Sequence, residues 1–162
     1  MKKSLFVTSG NVSLELEYIA GPEPEVLSIK FRKGAGGKSC DDPGIKKLAA
    51  KLSDFLEGKD PHFDMDDFAL LDTAKLTAFT RKVLLTLFTK VPRGTVVSYK
   101  ELAELSGYPK AVRAVGSVMA KNPFPLIIPC HRVIKSDSSL GNYGPGKKLK
   151  EHFLKLEKDK TD

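Results

Sequence analysis

Long apolar runs are missing from this 162-residue chain. None approaches the roughly 18 residues that a membrane-crossing helix needs, so no membrane association is expected. Cysteine is scarce, at two residues. A disulfide scaffold is therefore not expected, and two thiols suit the cytoplasm, or the nucleus of a eukaryote. A Cys40–Cys130 bridge stays open and would disarm a reactive thiol. The cysteines and histidines (Cys40, His62, Cys130, His131, His152) fall at no zinc-ligand spacing, so no metal is expected. The first residues, Met1-Lys2-Lys3-Ser4-Leu5-Phe6, lack a long apolar core and a small-residue cleavage site, and do not read as a signal peptide. Acidic residues are in short supply in the second half. Residues 71–162 hold 17 basic and 8 acidic side chains, against 10 and 12 in residues 1–70, within an overall net charge of +7.

What is present is ordinary for a globular protein: 41% hydrophobic and 29% charged residues, enough for one domain or one and a half. The charge asymmetry fits a polyanion-binding module carried on a near-neutral support. A lysine-rich solvated surface fits it equally well.

Residues 4–33 alternate with period two in Leu5-Phe6-Val7, Val12 to Tyr18 and Val26 to Phe31, which predicts three strands. Ser9-Gly10-Asn11 and Gly21-Pro22-Glu23-Pro24 mark the turns. A helix is predicted from about Pro43 to Glu57, with Asp42 as N-cap and Gly58 as stop. Its apolar face is Ile45, Leu48, Ala49, Leu52, Phe55 and Leu56. Residues 59–75 read as an irregular acidic connector. The resulting division is a supporting domain over residues 1–75 and a second domain over 76–162.

The second domain opens with a helix capped by Thr77, its inner face formed by Phe79, Val83, Leu84, Leu87 and Phe88. Ser98 and Glu101 form a capping box for a short helix ending near Leu105. Gly107-Tyr108-Pro109 is a turn, and another helix is predicted from about Lys110 to Lys121. This outline is a helix-turn-helix. The later helix is rich in small residues (Ala111, Ala114, Gly116, Ser117, Ala120). Close packing against another helix is the favoured account of that stripe; contact with a nucleic-acid groove, with Arg113 reaching inward, is the other. A loop from Lys135 to Gly146 holds three glycines around Tyr143. The last helix, from about Lys147 to Lys158, places Leu149, Phe153 and Leu156 inward.

Chemistry centres on Pro129-Cys130-His131-Arg132, which follows the apolar run Leu126-Ile127-Ile128. A lone cysteine in such a run is more often an inert buried residue. Adjacent side chains on a strand face opposite ways, so Cys130 and His131 meet only if the backbone leaves the extended form there. Pro129 makes such a break plausible.

From Val91 to Glu157 the motifs follow one another in a recognisable order. They are Pro92-x-Gly94-x-Val96-Val97-Ser98-Tyr99, Arg113-Ala114-Val115-Gly116, Asn122-Pro123, Ile128-Pro129-Cys130-His131-Arg132-Val133 and Gly141-Asn142-Tyr143. This stretch resembles the C-terminal domain of the O6-alkylguanine-DNA alkyltransferases. Residues 1–75 resemble the family's variable N-terminal domain only in outline. The resemblance implies an α+β fold: a small N-terminal sheet with a helix, ribonuclease H-like in outline, and a mostly helical C-terminal domain with the helix-turn-helix.

The resemblance also implies a function: DNA repair by direct damage reversal. The alkyl group of O6-alkylguanine, and of O4-alkylthymine, passes irreversibly to Cys130, one event per molecule and without a cofactor. Double-stranded DNA carrying the lesion is the partner, and the protein acts as a monomer. In the family's arrangement Cys130 couples through water to His131, which Glu157 orients. Asn122 ties the turn between the recognition helix and the cysteine. Tyr99 acts on the target phosphate and the guanine ring. The Cys130 and Val133 carbonyls accept from the guanine amino group, Tyr143 forms a wall, and a backbone N–H near Gly144 binds O6. Some members carry Ser at the position of Gly144. Arg113 fills the place of the flipped base, with Lys110, Ala114 and Arg132 also at the DNA. Met119, Pro125 and Lys150 support the pocket or DNA contacts. A free thiol with a pKa near 8.5 is only about 3% ionised at pH 7, so such chemistry requires thiolate stabilisation. The competing readings are a damage-binding relative without repair activity, which lacks the cysteine, a helix-turn-helix regulator, and a cysteine hydrolase, which turns over.

Overall fold

The alternation at the N-terminus folds into a three-stranded antiparallel sheet, in the computed structural model, which describes residues 1–34, 36–37 and 39–159. The strands are β1 (Lys2–Ser9), β2 (Val12–Ile19) and β3 (Glu25–Arg32). A two-residue turn joins the first two, with Ser9 opposite Val12 and Gly10 at φ +56°. Between β2 and β3 the register slips, so that Glu17 faces Ser28 while Tyr18 faces Val26. The extra residue puts Val26 and Ile29, three apart in sequence, on the same buried side as Leu14, Leu16 and Tyr18.

Helix α1 (Pro43–Leu56) starts as its capping residues dictate. Asp42 Oδ1 accepts from the Ile45 N–H at 3.1 Å, and Pro43 occupies the first turn. Ile45, Leu48, Leu52, Phe55 and Leu56 are buried on one face. The acidic connector is not wholly irregular. Residues Met65–Ala69 form a short helix, α2, held by a capping box between Asp64 and Asp67. An Asp-x-x-Asp box is easily overlooked, because the common form pairs Ser or Thr with Glu. Asp67 is buried and pairs with Lys51 of α1. Beyond α2 the chain lies along β3: Val26 N–H donates to the Leu70 carbonyl and Asp72 N–H to that of Val26. That pairs the edge of β3 at Val26.

Contacts divide the chain into two units, Met1–Ala74 and Lys75–Asp162. In the second, α3 (Ala78–Lys90) is capped by Thr77. Its buried face is Val83, Leu84, Thr86 and Leu87, while Phe79 and Phe88 are only half-buried. Thr86 tolerates burial because its hydroxyl donates to the Lys82 carbonyl at 2.7 Å. Phe79 stacks edge-on against Tyr108. Next come β4 (Val97–Ser98), α4 (Tyr99–Leu105) and α5 (Val112–Ala120), then β5 (Val133–Ile134), which pairs parallel with β4, and α6 (Lys147–Asp159). The Ser98–Glu101 capping box is present, and Gly107 at φ +85° makes the turn between α4 and α5. Helix α6 buries Lys150, Phe153 and Glu157, whereas Leu149 and Leu156 are half-buried. Two ionisable residues hold inner positions that an apolar count assigns to leucines. The class is α+β, a small sheet with helices followed by a mainly helical unit. Among the described residues no helix is long and apolar enough to cross a membrane.

Candidate active site

The approach to Cys130 is set by two turns. Asn122 closes the first: its Oδ1 accepts from the Phe124 N–H at 3.0 Å and its Nδ2 donates to the Ile128 carbonyl at 2.9 Å. Within this turn Leu126 sits at φ +72°, a left-handed conformation uncommon for leucine. The second turn is at Pro129, whose φ of −81° and ψ of 65° make an inverse γ-turn, closed by Cys130 N–H on the Ile128 carbonyl. The chain thus leaves the extended form before Cys130, and Cys130–Arg132 form a single 3-10 turn. Both cysteines are free, so no bridge disarms the thiol.

The two residues that follow Cys130 belong to a buried ionic cluster. His131 is fully buried, and its Nε2 is 2.7 Å from Glu157 Oε1. Arg132 embraces the same carboxylate, with Nε 3.0 Å from both oxygens and a terminal nitrogen 2.7 Å from Oε1. A further Arg132 nitrogen donates to the Val91 carbonyl at 2.8 Å. Burial works against charge on Glu157, but hydrogen bonds from His131 and Arg132 outweigh it and hold the carboxyl down at about 2. Burial lowers the His131 pKa, with Glu157 opposing and Arg132 assisting. The imidazole is therefore neutral at neutral pH and can take a proton. Arg132, expected at the DNA, is instead a partner of Glu157: its side chain is 12% exposed and its donors point inward.

Cys130 forms part of a cavity of about 420 Å³, with Tyr99, Met119, Ala120, Asn142, Tyr143, Gly144, Gly146 and Lys147 also lining it. The volume is in the range that holds a small molecule or a single base. Tyr99 stands at the first turn of α4 and leans on the loop. A methyl group added at Gly141 would come within 3.1 Å of the Tyr99 hydroxyl, so only glycine allows this approach at φ +71°. The Tyr143 hydroxyl is buried without a hydrogen-bond partner. At Gly144 nothing lies within 4 Å of a built Cβ, so the position has room for the serine of other members. Val133 is buried, and its carbonyl already accepts from the Lys150 ammonium at 2.6 Å. The Cys130 carbonyl accepts from the Val133 N–H. Burial pushes the Cys130 thiol pKa up, while Asn122 and the Lys150 charge pull it down.

The exposed side of α5 carries Arg113, Ala114, Ser117 and Ala120, with Lys110 exposed just before it. Val115, Val118 and Met119 pack inward. Of the small residues, Ala114, Ser117 and Ala120 are thus exposed, whereas Ala111 and Gly116 are half-buried. Pro125 is buried in the turn beneath the cysteine. Gly141 as a support for Tyr99 has a sequence signal in the Gly-rich loop, whereas Lys147, which lines the cavity from the start of α6, has none. Among the described residues no three His, Cys, Asp or Glu side chains cluster to hold a metal ion.

Comparison with known proteins gives the same direction. Residues 78–159 match the family described as 6-O-methylguanine DNA methyltransferase, DNA binding domain. The chain is 40% identical over 132 residues to the methylated-DNA–protein-cysteine methyltransferase of Methanothermobacter thermautotrophicus, spanning 82% of this chain and 72% of that one. It is 35% identical over 149 residues to the protein of the same name from Methanosarcina barkeri, spanning 87% and 89%. Among solved structures, Mycobacterium tuberculosis OGT in complex with DNA superposes with a TM-score of 0.75 at 32% identity, covering 96% of this chain and 92% of that one. With a cysteine at the wall of a base-sized cavity and these relatives along most of its length, the chain belongs to the 6-O-methylguanine DNA methyltransferase family.

Proposed function

We propose that Cys130 is the acceptor in a single-use repair of alkylated DNA. The chain is a methylated-DNA–protein-cysteine methyltransferase by its relatives, and its chemistry is alkyl transfer from DNA. The observation that carries the assignment to Cys130 is its place on the wall of the cavity, next in the chain to the buried His131–Glu157 pair.

A guanine inside the duplex cannot present O6 to a buried thiol, so the damaged nucleotide is rotated out at a few kcal/mol. It enters the cavity between Tyr99 and Tyr143. His131 takes the thiol proton, directly or through water, and Glu157 stabilises the imidazolium that results. The thiolate attacks the alkyl carbon; the S–C bond forms as the C–O6 bond breaks, and the electron pair leaves on guanine. Donors at the Gly144 backbone and the Tyr99 hydroxyl favour that departing charge. The proton removed from sulfur ends on guanine. The thioether is not reopened, so each molecule acts once, without a cofactor. O4-alkylthymine undergoes the same exchange.

Arg113 enters the stack in place of the base, and Lys110 and Ala114 lie along the groove, as the exposed face of α5 allows. The protein works as a monomer on double-stranded DNA bearing the lesion, in the cytoplasm or, in a eukaryote, the nucleus. Incubation with O6-methylguanine duplex DNA should leave one adduct of about 14 Da on the Cys130 peptide of each molecule. Cys130→Ser should bind the same duplex and transfer nothing. An unmodified Cys130 beside intact methylguanine would overturn the assignment.

A further inference from the structure

Among the described residues that line the cavity, Lys147 is the one cation, and none is acidic. The transfer of a methyl group gives this charge no task. Lys147 stands in the first turn of α6, where a positive charge opposes the helix dipole and adds nothing to helix stability. Lys51 and Lys59 each hold two carboxylates, but among the described residues none pairs with Lys147, not even the exposed Glu151 one turn further along α6. The wall beside it is open: at Gly144 and at Gly146 nothing lies within 4 Å of a built Cβ. Tyr143, on the same wall, has a buried hydroxyl with no hydrogen-bond partner.

We propose that the cavity also accepts guanines whose O6 substituent ends in a carboxylate, and that Lys147 is the residue that selects them. The inference rests on Cys130 as the acceptor. The cavity, at about 420 Å³, falls in the range of pockets that hold drug-sized ligands, so a flipped base with a longer O6 chain has room. Cys130 and Lys147 line the same space. The flexible four-carbon stem of a lysine lets its ammonium follow a carboxylate within it. The ammonium supplies the opposite charge, and the unpartnered Tyr143 hydroxyl is a further donor. An uncharged wall would make the substituent shed its hydration for nothing in return. The chemistry is that of the methyl case. The thiolate attacks the methylene carbon bound to O6; the S–C bond forms as the C–O6 bond breaks, and the electron pair leaves on guanine. The sulfur proton ends on guanine, and the carboxylate stays ionised beside Lys147.

The test compares single-turnover rates on two duplexes of one sequence, carrying O6-carboxymethylguanine or its uncharged isostere, O6-carbamoylmethylguanine. Wild-type protein should gain about 58 Da on the Cys130 peptide from the first. The readout is the ratio of the two rates, in which contacts to the DNA backbone cancel. Lys147→Gln should lower the ratio about fivefold, the worth of a partly exposed ion pair. Lys147→Glu should lower it further, and Lys147→Arg should restore it. If Lys147→Gln slows both duplexes alike, the ammonium serves a DNA phosphate instead, and the proposal is overturned. A second measurement leaves Lys147 in place: in wild-type protein the ratio should fall as salt is raised, because only the carboxylate is screened. A ratio indifferent to salt would overturn the proposal too. Methyl transfer from O6-methylguanine duplex separates the two assignments. If it proceeds while the ratio ignores residue 147, charge selection alone fails; if no group is transferred at all, the repair assignment fails and takes this proposal with it.

Discussion

At the scale of single residues, the two buried cysteines show how little residue type says about reactivity. Cys40 is buried in the first unit, where its Sγ accepts from the Tyr18 hydroxyl at 3.2 Å. Cys130 lines a cavity and is followed in the chain by a buried histidine paired with Glu157. The pattern around Glu157 also carries a pH signature. Its carboxyl is held at about 2 against an ordinary 4.5, so the stability it contributes is present above pH 4.5 and is lost as pH falls towards 2. Urea unfolding followed from pH 6 to pH 2 should show this as a difference, on the order of 3 kcal/mol, between wild type and Glu157→Gln that closes at the acid end. Two curves that run parallel to pH 2 would place the depressed carboxyl elsewhere.

At the scale of elements, the turns matter more than the helices. Helix α5 and the capping boxes follow local rules, and their boundaries lie close to where side-chain periodicity and capping residues put them. The segment from Asn122 to Cys130 does not. Its shape depends on one amide bonding both ends of the turn and on a leucine in a left-handed conformation. Asn122→Ala strands the Phe124 N–H and removes one of two donors on the Ile128 carbonyl, and should cost roughly 1–3 kcal/mol while slowing transfer more than it weakens DNA binding. Calorimetry beside single-turnover kinetics separates the two effects. On α5 the exposed Arg113 projects from a smooth face of small residues. Arg113→Ala should slow repair of duplex DNA at least tenfold and affect single-stranded substrate much less, because an unpaired base leaves no gap to fill. Equal rates on duplex for both proteins would remove the insertion role.

For the whole molecule, charge and connectivity divide the labour. The half from residue 71 onward holds the excess of basic side chains, and the unit from Lys75 carries the cavity and the exposed α5 face. Binding to undamaged duplex should fall linearly on a log–log plot against salt, with little dependence on sequence, as counterions are released from phosphates. A flat salt response in a filter-binding titration would mean that phosphates are not the main contact.

Read alone, the sequence determined much of this. Period-two alternation, caps and glycine stops specify most elements because they act within a few residues of chain. The ordered motifs from Pro92 to Tyr143 specified the family, since each spacing is a local constraint. What remained undetermined involved partners far apart in the chain. The pairing of Arg132 with Glu157, 25 residues on, withdrew a cation from the expected DNA face. The burial of Lys150 against the Val133 carbonyl, 17 residues away, depends on folding α6 onto the cysteine turn. Even the placing of two leucines of α6 off its inner face follows from those charges finding partners there. Charges come inside only where tertiary contacts supply hydrogen bonds and opposite charge, and no local pattern records that.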